Sequence, residues 1–166
     1  MDKAQNKERK KVIVLFTTIV VLLLIILFAS IFYIRSSRPM RQAKNEATAY
    51  AKKYANIETV DEFYWFNRGK TSFTVLGTDK SGQELVVSIP KSGSKVSVFQ
   101  QSEGVTEEQA RALVQKEHPG ETFKKANLGM FEDQPTWEIV TKTDNGLNYY
   151  LLQFKDGAEI KAITNV

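Results

Sequence analysis

Between Val12 and Ile34 the chain runs for 23 residues without a formal charge, and only Thr17, Thr18, Ser30 and Tyr33 carry polar side-chain groups there. As a helix this run would extend about 34 Å, against a hydrocarbon core of about 30 Å. A helix also satisfies its backbone amides internally, as lipid requires. The run is longer than the roughly 7–15 apolar residues of a cleaved leader. Nor does it close on a cleavage site, because Ala29-Ser30 is followed at once by Ile31-Phe32-Tyr33. The chain has no cysteine, so it has no lipoprotein acylation site. The expectation is a retained single-pass anchor over 12–34.

Charge is distributed around that run. Residues 1–44 hold nine Lys/Arg against Asp2 and Glu8, a balance of +7. Residues 45–166 hold the other 14 Lys/Arg against 17 Asp/Glu, a balance of −3. Basic residues at the two ends of a membrane helix suit anionic headgroups. The remainder is mildly acidic without a basic stripe, which argues against nucleic acid as a partner. The two flanks are almost equally basic, so the positive-inside rule discriminates weakly. A short basic tail over 1–11 suits the cytoplasm, which places the C-terminal 130 residues on the extracytoplasmic side.

Past the membrane run, Ser36-Ser37-Arg38-Pro39 predicts an interruption, with Pro39 in the first turn of a new helix. Ala43, Ala47, Tyr50 and Tyr54 recur at helical spacing and predict its buried stripe, to about Ala55. Strands are then predicted over 63–66, 72–76, 84–89 and 95–99. Turn clusters separate them at Asn67–Lys70, Asp79–Gly82 and Lys91–Ser94.

The same order begins again. Thr106-Glu107-Glu108-Gln109 is a capping box, followed by the stripe Ala110, Leu113, Val114 and a stop at His118-Pro119-Gly120. Four strands are predicted over 123–130, 136–141, 149–154 and 159–163. An offset of 64 brings Gly82 onto Gly146, Gly93 onto Gly157, Phe73 onto Trp137 and Val75 onto Ile139. An offset of 63 brings Ala47 onto Ala110. The predicted class is α+β: a transmembrane helix, then two tandem units over 35–104 and 105–166. Each would be one helix on a 3–4-stranded antiparallel sheet. At about 60 residues apiece, such units are too small to be comfortable alone and should pack on one another.

Groups able to do covalent chemistry are scarce. The one histidine, His118, sits at a helix end, where the dipole favours it. Without cysteine there is neither a thiolate nucleophile nor a thiolate metal site. The acidic clusters Glu58/Asp61/Glu62 and Glu132/Asp133 fall at strand starts and turns. No catalytic residue, metal site, cofactor site or small-molecule substrate is predicted. The unusual feature is Phe63-Tyr64-Trp65-Phe66, whose alternate residues face opposite sides of a strand. One pair belongs to a core. The other is either covered by the neighbouring half or left partly open as a docking patch; Tyr64, Trp65 and Phe66 are its candidate residues, with Tyr149 the counterpart in the second half.

The short basic tail, the 23-residue anchor and the paired helix-plus-sheet units resemble the TseB-like (YpmB-like) proteins of Gram-positive bacteria. So do the Ala47–Tyr54 helix, the capped Thr106 helix and the closing Tyr149–Gly157 hairpin. The resemblance covers essentially the whole chain. It implies cystatin-like or PepSY-like repeats and a regulator of cell-wall elongation, with a class B penicillin-binding protein as partner. The PepSY likeness also implies an alternative, a membrane-tethered peptidase inhibitor. It implies no catalytic residues.

Overall fold

The structure, a computed structural model, describes residues 2–93 and 95–166. Met1 and Ser94, the latter the last residue of the expected Lys91–Ser94 turn, lie outside the described residues, as do the side chains of residues 2–8, 36 and 37. The chain divides into two compact units, 1–42 and 43–166.

The first unit is helical throughout its described residues, within α1 (Asp2–Ala55). Its apolar side chains are largely exposed: Phe28 and Phe32 are each about two-thirds exposed or more. The hydroxyls of Thr18 and Ser30 donate to the carbonyls of Val14 and Ile26, at 2.9 and 2.7 Å. They therefore present no open donor to a lipid surround. Among the described residues this is the one helix long and apolar enough to cross a membrane.

The expected break at Ser36–Pro39 does not occur, and α1 continues with Pro39 inside it. Pro39 removes one amide donor, but good helix formers on both sides carry the ladder across that single gap. The helix stops at Asn56, whose φ of 53° is the left-handed conformation that asparagine tolerates.

The second unit holds two four-stranded antiparallel meanders. The first is β1 (Ile57–Arg68), β2 (Lys70–Asp79), β3 (Glu84–Pro90) and β4 (Ser97–Gln100), in that order. A short 3₁₀ turn, Gln101–Glu103, leads to α2 (Glu107–Glu117). The second meander is β5 (Thr122–Phe131), β6 (Gln134–Thr143), β7 (Gly146–Gln153) and β8 (Glu159–Ile163). All eight expected strands are present. The equivalence by 64 holds in the backbone, since Gly82 and Gly146, and Gly93 and Gly157, all have positive φ in matching turns.

Each sheet carries its own helix. Ala47 and Ala51 of α1 pack with Val75, Leu85, Val87 and Ile89. Ala110 and Val114 of α2 pack with Leu128, Trp137, Ile139 and Leu152. The buried stripe of α1 is Ala43, Ala47 and Ala51, not the expected alanines with Tyr50 and Tyr54, which are 39% and 53% exposed. Sheet residues such as Phe63, Phe73 and Ile89 already fill the interface, so the helix approaches closely only on small side chains. The two tyrosines stack on each other at 5.8 Å. The Thr106 capping box forms as read, with Thr106 Oγ1 accepting from Gln109 N and Gln109 Oε1 accepting from Thr106 N.

Candidate interaction surface

Strand β1 builds the junction between the two sheets. Alternation sends Phe63 and Trp65 toward the face that carries α1, where both pack on Phe73. Tyr64, Phe66 and Arg68 point the other way, toward the second sheet. Tyr64 meets Trp137 edge-on at 5.4 Å, and its hydroxyl donates to Glu107 at 2.7 Å. Burial, and then this bond to a carboxylate, push the Tyr64 hydroxyl far above the ordinary phenol range. Phe66 is fully buried against the backbone of Gly129, where even a Cβ would lie 2.2 Å from its own Cβ and Cγ. Next to it, Met130 N of β5 donates to Ser72 Oγ of β2 at 3.2 Å. The outer border of the second sheet is thus seated on the first.

Of the four side chains expected as a docking patch, Tyr64 and Phe66 are therefore withdrawn from the surface, at 7% and 0% exposure. The neighbouring half covers them, because two sheets of this size each need an apolar face buried. Trp65 and Tyr149 are half-buried and keep some surface. Arg68 lies over the Tyr149 ring, 4.3 Å from its centroid, and pairs through Nε with the buried carboxylate of Glu138. Glu138 also accepts from Asn127 Nδ2 at 2.9 Å. Sequence reading missed Arg68, Glu138 and Gly129. Gly129 was the one with a signal, since a glycine inside an apolar strand marks close backbone approach.

Beside this junction lies a cleft of about 880 Å³, lined among others by Lys70, Ser72, Ser88, Lys95, Ser97 and Phe131. Thr74 and Ser88 are paired across β2 and β3, and their buried hydroxyls have no partner. On the far side of the second sheet, Glu121 accepts from Thr141, from Asn148 Nδ2 at 2.7 Å and from Tyr150 Oη at 2.9 Å. His118 stacks on Tyr150 at 4.4 Å and caps α2, as its helix-end position implied. Glu117, His118 and Glu159 bring three possible ligand atoms within 4.8 Å of one another, and among the described residues they are the group that could hold a metal.

Desolvation raises the Glu121 carboxyl, and the three hydrogen bonds with the nearby His118 outweigh it, leaving it below its ordinary value near 4.5. Burial and then Glu121 push Tyr150 up to about 12. A depressed carboxyl stabilises the fold above its unfolded value, and the contribution is lost as pH falls through the folded value. Glu121→Gln is therefore expected to lower stability by roughly 1–3 kcal/mol at pH 7. The deficit should shrink below about pH 4.5. Urea unfolding at pH 7 and pH 3 checks this, and an unchanged deficit at pH 3 would refute it.

The chain matches the Cell wall elongation regulator TseB-like domain over residues 46–90 and the Peptidase propeptide and YPEB domain (PepSY) over residues 104–162. The first match spans the end of α1 through β3, and the second spans α2 through β8, so each falls on one helix-plus-sheet repeat. The solved YpmB protein from Bacillus subtilis shares the architecture, with a TM-score of 0.63 and 27% identity over 72% of this chain and 95% of that one. The chain is similar to the TseB/YpmB-like proteins in both repeats. It is also similar to the probable cell wall elongation regulator TseB of Bacillus subtilis (strain 168), 26% identical over 84% of this chain and 87% of that protein. The YpmB-like fold accounts for the tandem order of elements, and the relative is named a probable regulator of cell wall elongation.

Proposed function

We propose that this chain is a membrane-anchored, non-catalytic regulator of cell-wall elongation that acts by contact with a class B penicillin-binding protein. Residues 1–11 form a cytoplasmic tail, 12–34 span the membrane, and the repeats over 35–104 and 105–166 stand on the outer side. The observation that carries this reading is the likeness to the probable regulator TseB, which covers 84% of this chain and 87% of that protein. Anchoring supports it physically. Confinement to a membrane raises the effective concentration of the module near any membrane-bound partner, so a modest interface suffices. Tyr149 and the cleft that Arg68 lines are one surface on which such contact would fall, and Trp65, on the α1 face of the first sheet, is a second, with no cofactor or small-molecule substrate involved.

The PepSY match favours one second reading, a tethered peptidase inhibitor held near an envelope protease. In-cell crosslinking followed by recovery of the tagged full-length chain separates the two. Recovery of a penicillin-binding protein is expected, and recovery of a protease in its place would favour inhibition. Trypsin added to wall-stripped intact cells should digest the repeats. Their complete protection would overturn the orientation.

A further inference from the structure

An acidic groove lies at the other end of the junction, between the start of β3, the bulged middle of β1 and the first turn of α2. Its walls carry Asp61, Glu62, Glu84, Glu107 and Glu108, and Gln101 lines it as well, in a volume of about 370 Å³. No lysine, arginine or histidine lines it, and among the described residues none of the five carboxylates has an ion-pair partner. Two features show that the groove is built. The β1–β2 register slips between Val60 and Glu62, so the consecutive residues Asp61 and Glu62 both line it where a regular strand would point them apart. Gln101 is 93% buried by the complement of its 7% exposure, its Nε2 donates to Val105 O at 3.3 Å, and its Oε1 accepts from nothing. A buried acceptor without a donor is costly.

We infer that this groove receives a lysine or arginine side chain of a protein partner. Such a side chain has only donors to offer, and the groove has acceptors left open. A bound divalent ion fits less well. Hard cations need several oxygens converging on one point. No three of these carboxylates bring ligand atoms within 4.8 Å, although Glu117, His118 and Glu159 do elsewhere in the second unit. Long flexible cationic side chains are matched to carboxylates spread along a wall. Tyr64 ties the groove to the junction, because its hydroxyl positions Glu107 while its ring packs on Trp137.

The inference rests on the reading of the chain as an interaction module, and it adds the chemistry of the partner. Tetralysine, titrated against the full-length chain in an uncharged detergent, is the probe, read by backbone amide shifts. Shifts are expected at Asp61, Glu62, Glu84 and Glu108, and not at the exposed control acids Glu58, Glu132 and Asp144. Tetralysine with acetylated side chains should give none. In Glu62→Gln/Glu84→Gln/Glu108→Gln, binding should weaken by roughly tenfold or more. Uniform shifts over all exposed acids, unchanged binding in the triple variant, or saturation of the groove by calcium chloride alone would each overturn the proposal. The two readings fail separately. Recovery of the same crosslinked partner by the triple variant and the natural chain removes the groove and keeps the function. Groove binding by tetralysine without any cell-wall protein crosslinked removes the function and keeps the groove.

Discussion

Phe66→Ala is expected to destabilise the folded module by about 3–5 kcal/mol, the usual cost of emptying a fully buried phenylalanine site. At this size that is a fall in Tm of roughly 10–20 °C. The cavity would open where the two sheets meet, against the backbone of Gly129, and that wall cannot close inward without moving β5. The collapse that softens many large-to-small substitutions is therefore blocked. Trp65→Ala, one residue away but on the half-exposed side, removes a larger side chain and should cost less than half as much. Thermal or urea unfolding of the two variants in detergent decides the matter. Equal losses would mean that β1 does not hold the sheets together.

Arg68→Ala is expected to cost on the order of 3 kcal/mol, because it leaves the Glu138 carboxylate buried with only Asn127 as partner. The pair itself is another matter. Replacing both members with apolar side chains of similar volume, as in Arg68→Met/Glu138→Leu, should be close to neutral. The cation–π contact on Tyr149 would be lost in either case. A double variant as unstable as Arg68→Ala alone would show that the charges hold the junction together. Recovery of most of the loss would show that they only set its register.

Local patterns made most of this architecture legible. Period-two runs bounded by glycine turns located the eight strands. Thr106 and Gln109 announced α2, and Gly82/Gly146 with Gly93/Gly157 exposed the repeat. What depended on packing between distant segments was not legible. Tyr50 and Tyr54 sit at proper helical spacing beside Ala47, yet only the bulk of Phe63, Phe73 and Ile89 decides that alanine takes the interface. Pro39 marked a break that the helix does not make, because one missing hydrogen bond does not end an otherwise favourable run. The aromatic run correctly raised two alternatives, and choosing between them needed Gly129, 63 residues away from Phe66. The acidic groove was invisible for a similar reason. Asp61 and Glu62 are adjacent in sequence, and only the bulge turns them to the same side.

The seating of β5 on the first sheet also settles how the molecule tolerates crowding. Each meander has two borders where another strand could add, and the contact between β1 and β5 occupies one from each. The borders left over are β4 and β8, of four and five residues. Strands so short offer little template for chain-to-chain addition. Many copies gathered in one patch of membrane could therefore stand side by side without zippering into a polymer.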